Sequence, residues 1–153
     1  MTKEQALYRL TSLCAHSEYC QHDMLEKMRK WEVSVVDQAS IMEYLVRERY
    51  VDEERYARHF ISDKIKLNKW GRRKVEQALY MKRVPEKIYR PILEELSDED
   101  YDEILFPLLR SKLRSVKGKD EYEIRGKLIR FALSRGFDMD IVLQAVENIM
   151  KEA

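Results

Sequence analysis

The sequence predicts an all-α protein, an elongated array of three tandem three-helix units. The 153 residues include only 4 Gly and 3 Pro, while 37% are charged and 44% are hydrophobic. This balance is typical of helix-rich chains. Apolar residues also recur with helical spacing, most clearly at Ile141, Val142, Ala145, Val146, Ile149 and Met150.

The helical pattern repeats along the chain. Shorter versions of the C-terminal pattern occur near residues 41–46 and 88–96. The stretch from Lys82 to Ile88 also matches that from Arg135 to Ile141 as a basic, a variable and an apolar residue, three mixed residues and an isoleucine. Recurrence of one helix and its approach indicates tandem units.

Helix-capping chemistry predicts where the units begin. Thr2 with Gln5, and Ser97 with Asp100, have the spacing of a capping box. Asp52 is a third predicted N-cap, without the reciprocal partner because an arginine stands three residues later. The predicted units are therefore residues 1–51, 52–96 and 97–153.

Within the middle unit, helices are predicted over residues 53–68, 72–82 and 86–96. Pro91 and Pro107 lie inside apolar helical patterns, and a proline there removes a backbone donor. A kink or a restart of the helix is expected at both prolines.

Four potential metal ligands stand close together near the N-terminus: Cys14, His16, Cys20 and His22. On one continuous helix Cys14 and Cys20 would face different directions, whereas zinc ligands usually form closer pairs on converging elements. A helix joint with Ser17 as the N-cap of the second helix is the alternative that we favour. No metal site and no cofactor are predicted.

No catalytic residues are predicted. The acidic residues 52–54 and 98–100 each follow or include a predicted cap, where the helix dipole favours negative charge. None of the three histidines accompanies a serine or cysteine in a nucleophile motif, and His59 is expected beside the apolar stripe of its helix. No run of residues is long and apolar enough for a membrane span, so we predict a cytoplasmic protein.

Charge is distributed unevenly. Residues 52–96 contain 12 basic and 8 acidic groups, although the whole chain has a net charge of only +1. The basic residues between positions 64 and 90 are predicted to form a basic strip, the middle strip, with Trp70 among them. Its residues are Lys64, Lys66, Lys69, Trp70, Arg72, Arg73, Lys74, Lys82, Arg83, Lys87 and Arg90. A weaker, secondary strip consists of Arg110, Lys112, Arg114, Lys117, Lys119, Arg125, Lys127 and Arg130. Such strips fit a polyanion held by its phosphates, and solvated helix faces are the alternative.

The middle of the chain resembles the RecX proteins, bacterial regulators of the RecA recombinase. The strongest resemblance covers residues 44–93. The residues that carry it are Tyr50-Val51-Asp52-Glu53-Glu54-Arg55-Tyr56-Ala57, then Gly71, Val75 and Leu79, then Val84 and Ile88. Among these, Tyr50, Asp52, Tyr56, Ala57 and Gly71 are interpreted as a structural signature, with the aromatic and apolar members in the core.

The resemblance implies a non-enzymatic protein that binds RecA filaments on single-stranded DNA. It implies inhibition of filament growth, ATP hydrolysis and strand exchange. We expect the basic strips to contact RecA or DNA, and we expect the protein to be a monomer. Two hypotheses compete with it: a helical-repeat scaffold that binds an acidic protein partner without nucleic acid, and a zinc protein using Cys14 and Cys20.

The chain departs from the family pattern at three joints. Arg49 stands where the family often has glycine before the tyrosine, and Glu32 and Arg83 stand where it favours glycine at the end of a second helix. Because a left-handed conformation costs a non-glycine residue about 1 kcal/mol, the joints at Glu32 and Arg83 are expected to close differently.

Overall fold

The computed structural model describes all 153 residues, and it contains nine α-helices and no strand. The helices are α1 (Lys3–Cys14), α2 (Gln21–Lys30), α3 (Val35–Arg47), α4 (Glu53–Lys66), α5 (Arg72–Met81), α6 (Glu86–Leu93), α7 (Asp98–Ser115), α8 (Glu121–Ser134) and α9 (Met139–Glu152). The predicted all-helical class is confirmed. None of the helices is both long enough and apolar enough to span a membrane.

The chain forms two compact units, of which the first comprises residues 1–60 and 79–89 and the second residues 61–78 and 90–153. In the first unit, α1, α2 and α3 bury Leu10, Met24, Met28, Ile41 and Leu45 against one another. In the second unit, α7, α8 and α9 pack together. The predicted boundaries at 51/52 and 96/97 remain predictions.

All three predicted caps are present. The N–H of Gln5 donates to Thr2 Oγ1 (3.1 Å), and Thr2 N–H donates back to Gln5 Oε1 (2.9 Å). Ser97 and Asp100 make the same reciprocal pair. The N–H of Arg55 donates to Asp52 Oδ1 (3.0 Å), and this bond keeps the pKa of Asp52 below its usual value. Capping chemistry therefore located the starts of α1, α4 and α7 correctly.

The joints that lack glycine nevertheless adopt the left-handed conformation. Glu32 has φ 57°, Arg83 has φ 58°, and Arg49 has φ 62°, against φ 95° at Gly136. The expectation that Glu32 and Arg83 would close their joints differently is therefore wrong. Each accepts a strain of about 1 kcal/mol in keeping this geometry.

One hydrogen-bond pattern explains why this strain is tolerated. Glu32, Arg83 and Gly136 are the left-handed residues that follow α2, α5 and α8. The apolar residue directly after each of them donates its backbone N–H to the carbonyl five positions earlier. The pairs are Val33 to Met28 (3.0 Å), Val84 to Leu79 (3.1 Å) and Phe137 to Ala132 (3.4 Å). All three donor residues are buried. This is the Schellman closure, and burial of the apolar residue that follows it stabilises the joint.

The start of α2 differs from the prediction. Cys20, not Ser17, is its N-cap. The N–H of Cys20 donates to a carboxylate oxygen of Asp23 (3.3 Å), and the N–H of Gln21 donates to Glu53 (2.9 Å). These acceptors fix the first turn at Gln21.

Neither internal proline ends its helix: α6 continues past Pro91, and α7 runs for 18 residues through Pro107. Neither helix restarts at its proline, and the alternative expectation of a kink stays a prediction. Leu105 and Leu109 are fully buried on either side of Pro107, so side-chain packing holds α7 together where one backbone bond is missing. The predicted middle helices also end earlier, at Lys66, Met81 and Leu93.

A partly buried ion pair joins α2 to Lys82, the residue after α5, within the first unit. Lys82 Nζ lies 2.7 Å from Asp23 Oδ1, and Asp23 is 15% exposed. Burial opposes ionisation of Asp23, but the hydrogen bonds from Lys82 and from the Cys20 N–H dominate and lower its pKa. The pair therefore stabilises the ionised carboxylate.

Replacing Lys82 with glutamine is expected to lower the free energy of unfolding at pH 7 by roughly 1–3 kcal/mol. Because the folded pKa of Asp23 lies below its unfolded value of about 4, its contribution is present above pH 4 and is lost as pH falls through the folded pKa. Urea unfolding should therefore be measured at pH values from above 4 down to the folded pKa of Asp23. The free energy of unfolding should fall less steeply with decreasing pH for Lys82→Gln than for the parent chain. Equal acid dependence would contradict the assignment.

Candidate nucleic-acid interface

Trp70 organises the beginning of the predicted basic strip. Its half-buried ring has Lys64 Nζ 5.0 Å and Lys74 Nζ 4.6 Å from the centroid. The backbone N–H of Trp70 donates to the Lys64 carbonyl (3.0 Å). Lys69, directly before Trp70, has the left-handed conformation. Cation–π attraction thus holds two ammonium groups beside one ring.

Arg72 is held in an internal ion pair. Its guanidinium donates to both carboxylate oxygens of Asp138 (2.7 and 3.0 Å) and to Glu76 (2.6 Å). The hydrogen bonds to Asp138 raise the pKa of Arg72 above its usual value. Since Asp138 precedes the first turn of α9, Arg72 ties α5 to α9.

The backbone around Gly71 explains why these two helices meet. Gly71 N–H donates to the Arg135 carbonyl (2.8 Å), and Arg73 N–H donates to the Gly136 carbonyl (2.9 Å). A Cβ built on Gly71 would lie 2.3 Å from the backbone N of Phe137. A side chain at position 71 is therefore incompatible with this approach. The predicted signature glycine has a structural role.

The remaining residues of the middle strip fall in both compact units. The first unit contains Lys82, Arg83 and Lys87. The second unit contains Arg90 and the part of the middle strip from Lys64 to Lys74. Lys82 is ion-paired with Asp23, while Arg83 and Lys87 are exposed.

Among the members of the middle strip in the second unit, three exposed cations form no ion pair: Lys66, Lys69 and Arg73. We call these three residues the exposed triad. They lie in the last turn of α4, in the turn that follows it and in the first turn of α5. Of the residues predicted around Trp70, they have the fewest internal interactions and are the best placed to meet phosphates.

The secondary strip likewise contains some cations with internal partners and some exposed cations without an ion pair. Arg110 is paired with Glu152 (3.0 Å), and Lys112 lies over the Phe131 ring (5.2 Å). Arg125 and Lys127 have carboxylates at 3.7 and 3.4 Å. The exposed members without an ion pair are Arg114, Lys117, Lys119 and Arg130.

Two of the acidic residues 52–54, Asp52 and Glu53, have structural roles. Asp52 caps α4, and Glu53 accepts the first N–H of α2, where burial raises its pKa. Arg55 occupies the position of a reciprocal capping partner. Its guanidinium instead donates to Glu18 (2.7 and 2.9 Å) and to the carbonyls of Arg49 and Tyr50 (3.0 and 3.2 Å).

The cysteines do not form a metal centre with the histidines. No group of three histidine, cysteine or acidic side chains is arranged to hold a metal ion. Cys20 is fully buried, and burial raises the pKa of its thiol to about 12.

Two features of the region were missed by the sequence analysis. The partner of Arg72, Asp138, is 66 residues away, and no local spacing connects them. The backbone of Arg135-Gly136-Phe137, recognised only as a repeat element, is the surface against which Gly71 packs.

Two family sequence models match the chain. The second three-helix domain of RecX matches residues 52–90, and the third three-helix domain of RecX matches residues 98–146. Together they account for more than half of the chain.

Relatives support the same grouping. The regulatory protein RecX of Clostridium beijerinckii is 28% identical over 126 residues, which cover 81% of this chain and 57% of that protein. The chain thus spans little more than half the length of this relative. The regulatory protein RecX of Chlorobium limicola is 29% identical, over 97% of this chain and 91% of that one.

The fold also matches a solved structure. The crystal structure of RecX from Lactobacillus salivarius superimposes with a TM-score of 0.86 over 96% of both chains, at 14% sequence identity. At this identity the match concerns the fold alone.

Proposed function

Because this chain belongs to the RecX family, we propose that it binds RecA filaments on single-stranded DNA and inhibits filament growth, ATP hydrolysis and strand exchange. Its role is that of a RecX-type regulator, and the proposal assigns it no catalytic step. The relatives compared above are named as regulatory proteins, which supports this class of function.

The observation that carries the proposal is the exposed triad, Lys66, Lys69 and Arg73. These side chains have no carboxylate partner, whereas Arg72, which lies among them in the sequence, has two. Cations left unpaired at the surface are available to phosphate oxygens or to acidic side chains of a filament. Lys64 and Lys74, held over Trp70, add positive charge next to the triad in the sequence.

The ion pairs also decide which cations should be tested. Reversing Arg72 would bring a third carboxylate to Asp138 and Glu76, so a loss of inhibition could reflect damage to the fold. Reversing Lys66, Lys69 and Arg73 breaks no internal ion pair. The triad therefore tests the surface separately from the fold.

We expect the triple variant Lys66→Glu/Lys69→Glu/Arg73→Glu to lose inhibition of the RecA ATPase on single-stranded DNA, because its charges would repel phosphates. The loss should be at least about tenfold in the concentration for half-inhibition, which corresponds to about 1.4 kcal/mol. Helical circular dichroism should be unchanged.

The matched control is Lys3→Glu/Lys30→Glu/Lys151→Glu, which makes the same change in net charge at lysines outside both strips. This control should inhibit like the parent chain. If the two triple variants inhibit equally, the exposed triad is not the contact surface.

A further inference from the structure

An open groove on the first unit combines aromatic rings with cations. Residues of α1, of α2 and of the positions just after each helix line it, and its volume is about 420 Å³. The lining residues are Tyr8, Arg9, Ser12, Leu13, His16, Lys27 and Trp31. No carboxylate is among them, although residues 1–51 contain more acidic than basic groups.

The cations of this groove rest on aromatic rings. The Arg9 guanidinium lies 5.0 Å from the Trp31 ring centroid, and Lys27 Nζ lies 5.3 Å from the ring of Tyr19. Neither cation forms an ion pair. Their positive charge is therefore oriented by the rings and left available to an anion.

Tyr8 offers the apolar part of a binding surface. Its side chain is 74% exposed, although α1 buries Ala6 and Leu10 on its other face. Tyr8 and Ser12 are four residues apart on α1 and share one face of it, and His16, after the end of α1, lines the same groove.

We infer that this groove binds single-stranded nucleic acid, with a base stacked on Tyr8 and the adjoining phosphates on Arg9 and Lys27. Aromatic rings and cations line the same groove, and a nucleotide presents a flat base together with a phosphate anion. An acidic peptide would satisfy the cations and leave the exposed aromatic surface unused. The inference concerns a second surface, distinct in residues from the exposed triad, and requires no RecA.

The test measures binding of the full chain to an oligothymidylate of about twelve nucleotides, without RecA. Tyr8→Ala should weaken binding roughly 5- to 150-fold, the range expected for one base stacked on an aromatic side chain. Tyr8→Phe should restore it, because the ring and not the hydroxyl stacks. Lys27→Ala should also weaken binding, whereas Lys30→Ala, a matched change on the same helix outside the groove, should not.

The Trp70→Phe variant leaves Trp31 as the single tryptophan, so its fluorescence reports on the groove. Oligothymidylate should quench it, and a poly-glutamate peptide of equal charge should not. The inference is overturned if Tyr8→Ala binds like the parent chain, or if poly-glutamate quenches Trp31 as strongly as the oligonucleotide. Either result would leave the ATPase prediction for the exposed triad standing, so the two proposals fail separately.

Discussion

Gly71→Ala is expected to destabilise the second unit by about 3 kcal/mol or more. The added Cβ would lie 2.3 Å from the backbone N of Phe137, 2.4 Å from its Cα and 2.5 Å from the carbonyl carbon of Gly136. These are backbone atoms, so no side chain can turn aside to make room. The cost should reach the upper end of that seen for overpacked cores.

The added side chain should push the two backbone segments apart and so break two hydrogen bonds, from Gly71 N–H to the Arg135 carbonyl and from Arg73 N–H to the Gly136 carbonyl. The loss of these bonds should lower the free energy of unfolding. Urea unfolding at pH 7 measures it directly. Hydrogen exchange at the Gly71 and Arg73 amides should also increase if the joint opens locally.

Gly126→Ala provides the matched control. A Cβ at Gly126, inside α8, would meet only the Arg130 guanidinium, at 3.4 Å or more. Alanine in a helix interior is favoured over glycine, so this variant should be more stable by about 0.5–1 kcal/mol. Equal effects of the two substitutions would refute the close approach at Gly71.

Tyr56→Ala should lower the free energy of unfolding by about 3–5 kcal/mol, the range for deletion of a large buried aromatic side chain. Tyr56 is 7% exposed, and its ring packs against Phe60 with centroids 5.7 Å apart. Burial raises the pKa of its hydroxyl, which also hydrogen-bonds Cys20. The removed ring would leave a cavity beside the N-cap of α2.

Tyr56→Phe separates the ring from the hydroxyl. It keeps the packing and removes only the hydrogen bond to Cys20, so a loss of about 1 kcal/mol is expected. Chemical denaturation of the two variants side by side gives both values. A loss of similar size for phenylalanine and alanine would mean that the hydroxyl, not the ring, dominates.

Local chemistry explains which parts of the fold were predictable. The caps at Thr2, Asp52 and Ser97 depend on residues within three positions, and all were found correctly. The repeat at Lys82–Val84 and Arg135–Phe137 was also visible, because each joint places an apolar residue directly after a left-handed one.

The joint at Arg83 shows where local reasoning failed. Propensity alone favours glycine there, yet burial of Val84 and its hydrogen bond to Leu79 hold the same conformation. At Pro107 only the expected restart is wrong, since the packing of α7 keeps its helix continuous. In both cases tertiary packing outweighs a backbone preference of a few kcal/mol or less.

The sequence by itself determined the all-helical class, the capped starts of α1, α4 and α7, the repeat and the family, because these depend on residue types at short spacings. Only the tertiary structure decided which cations remain at the surface. Arg72 and Lys82 belong to the same basic strip as Lys66 and Arg73, but they pair with Asp138 and Asp23, which lie 66 and 59 residues away. Ion pairing over such separations depends on how the helices pack, and charge counting along the chain does not detect it.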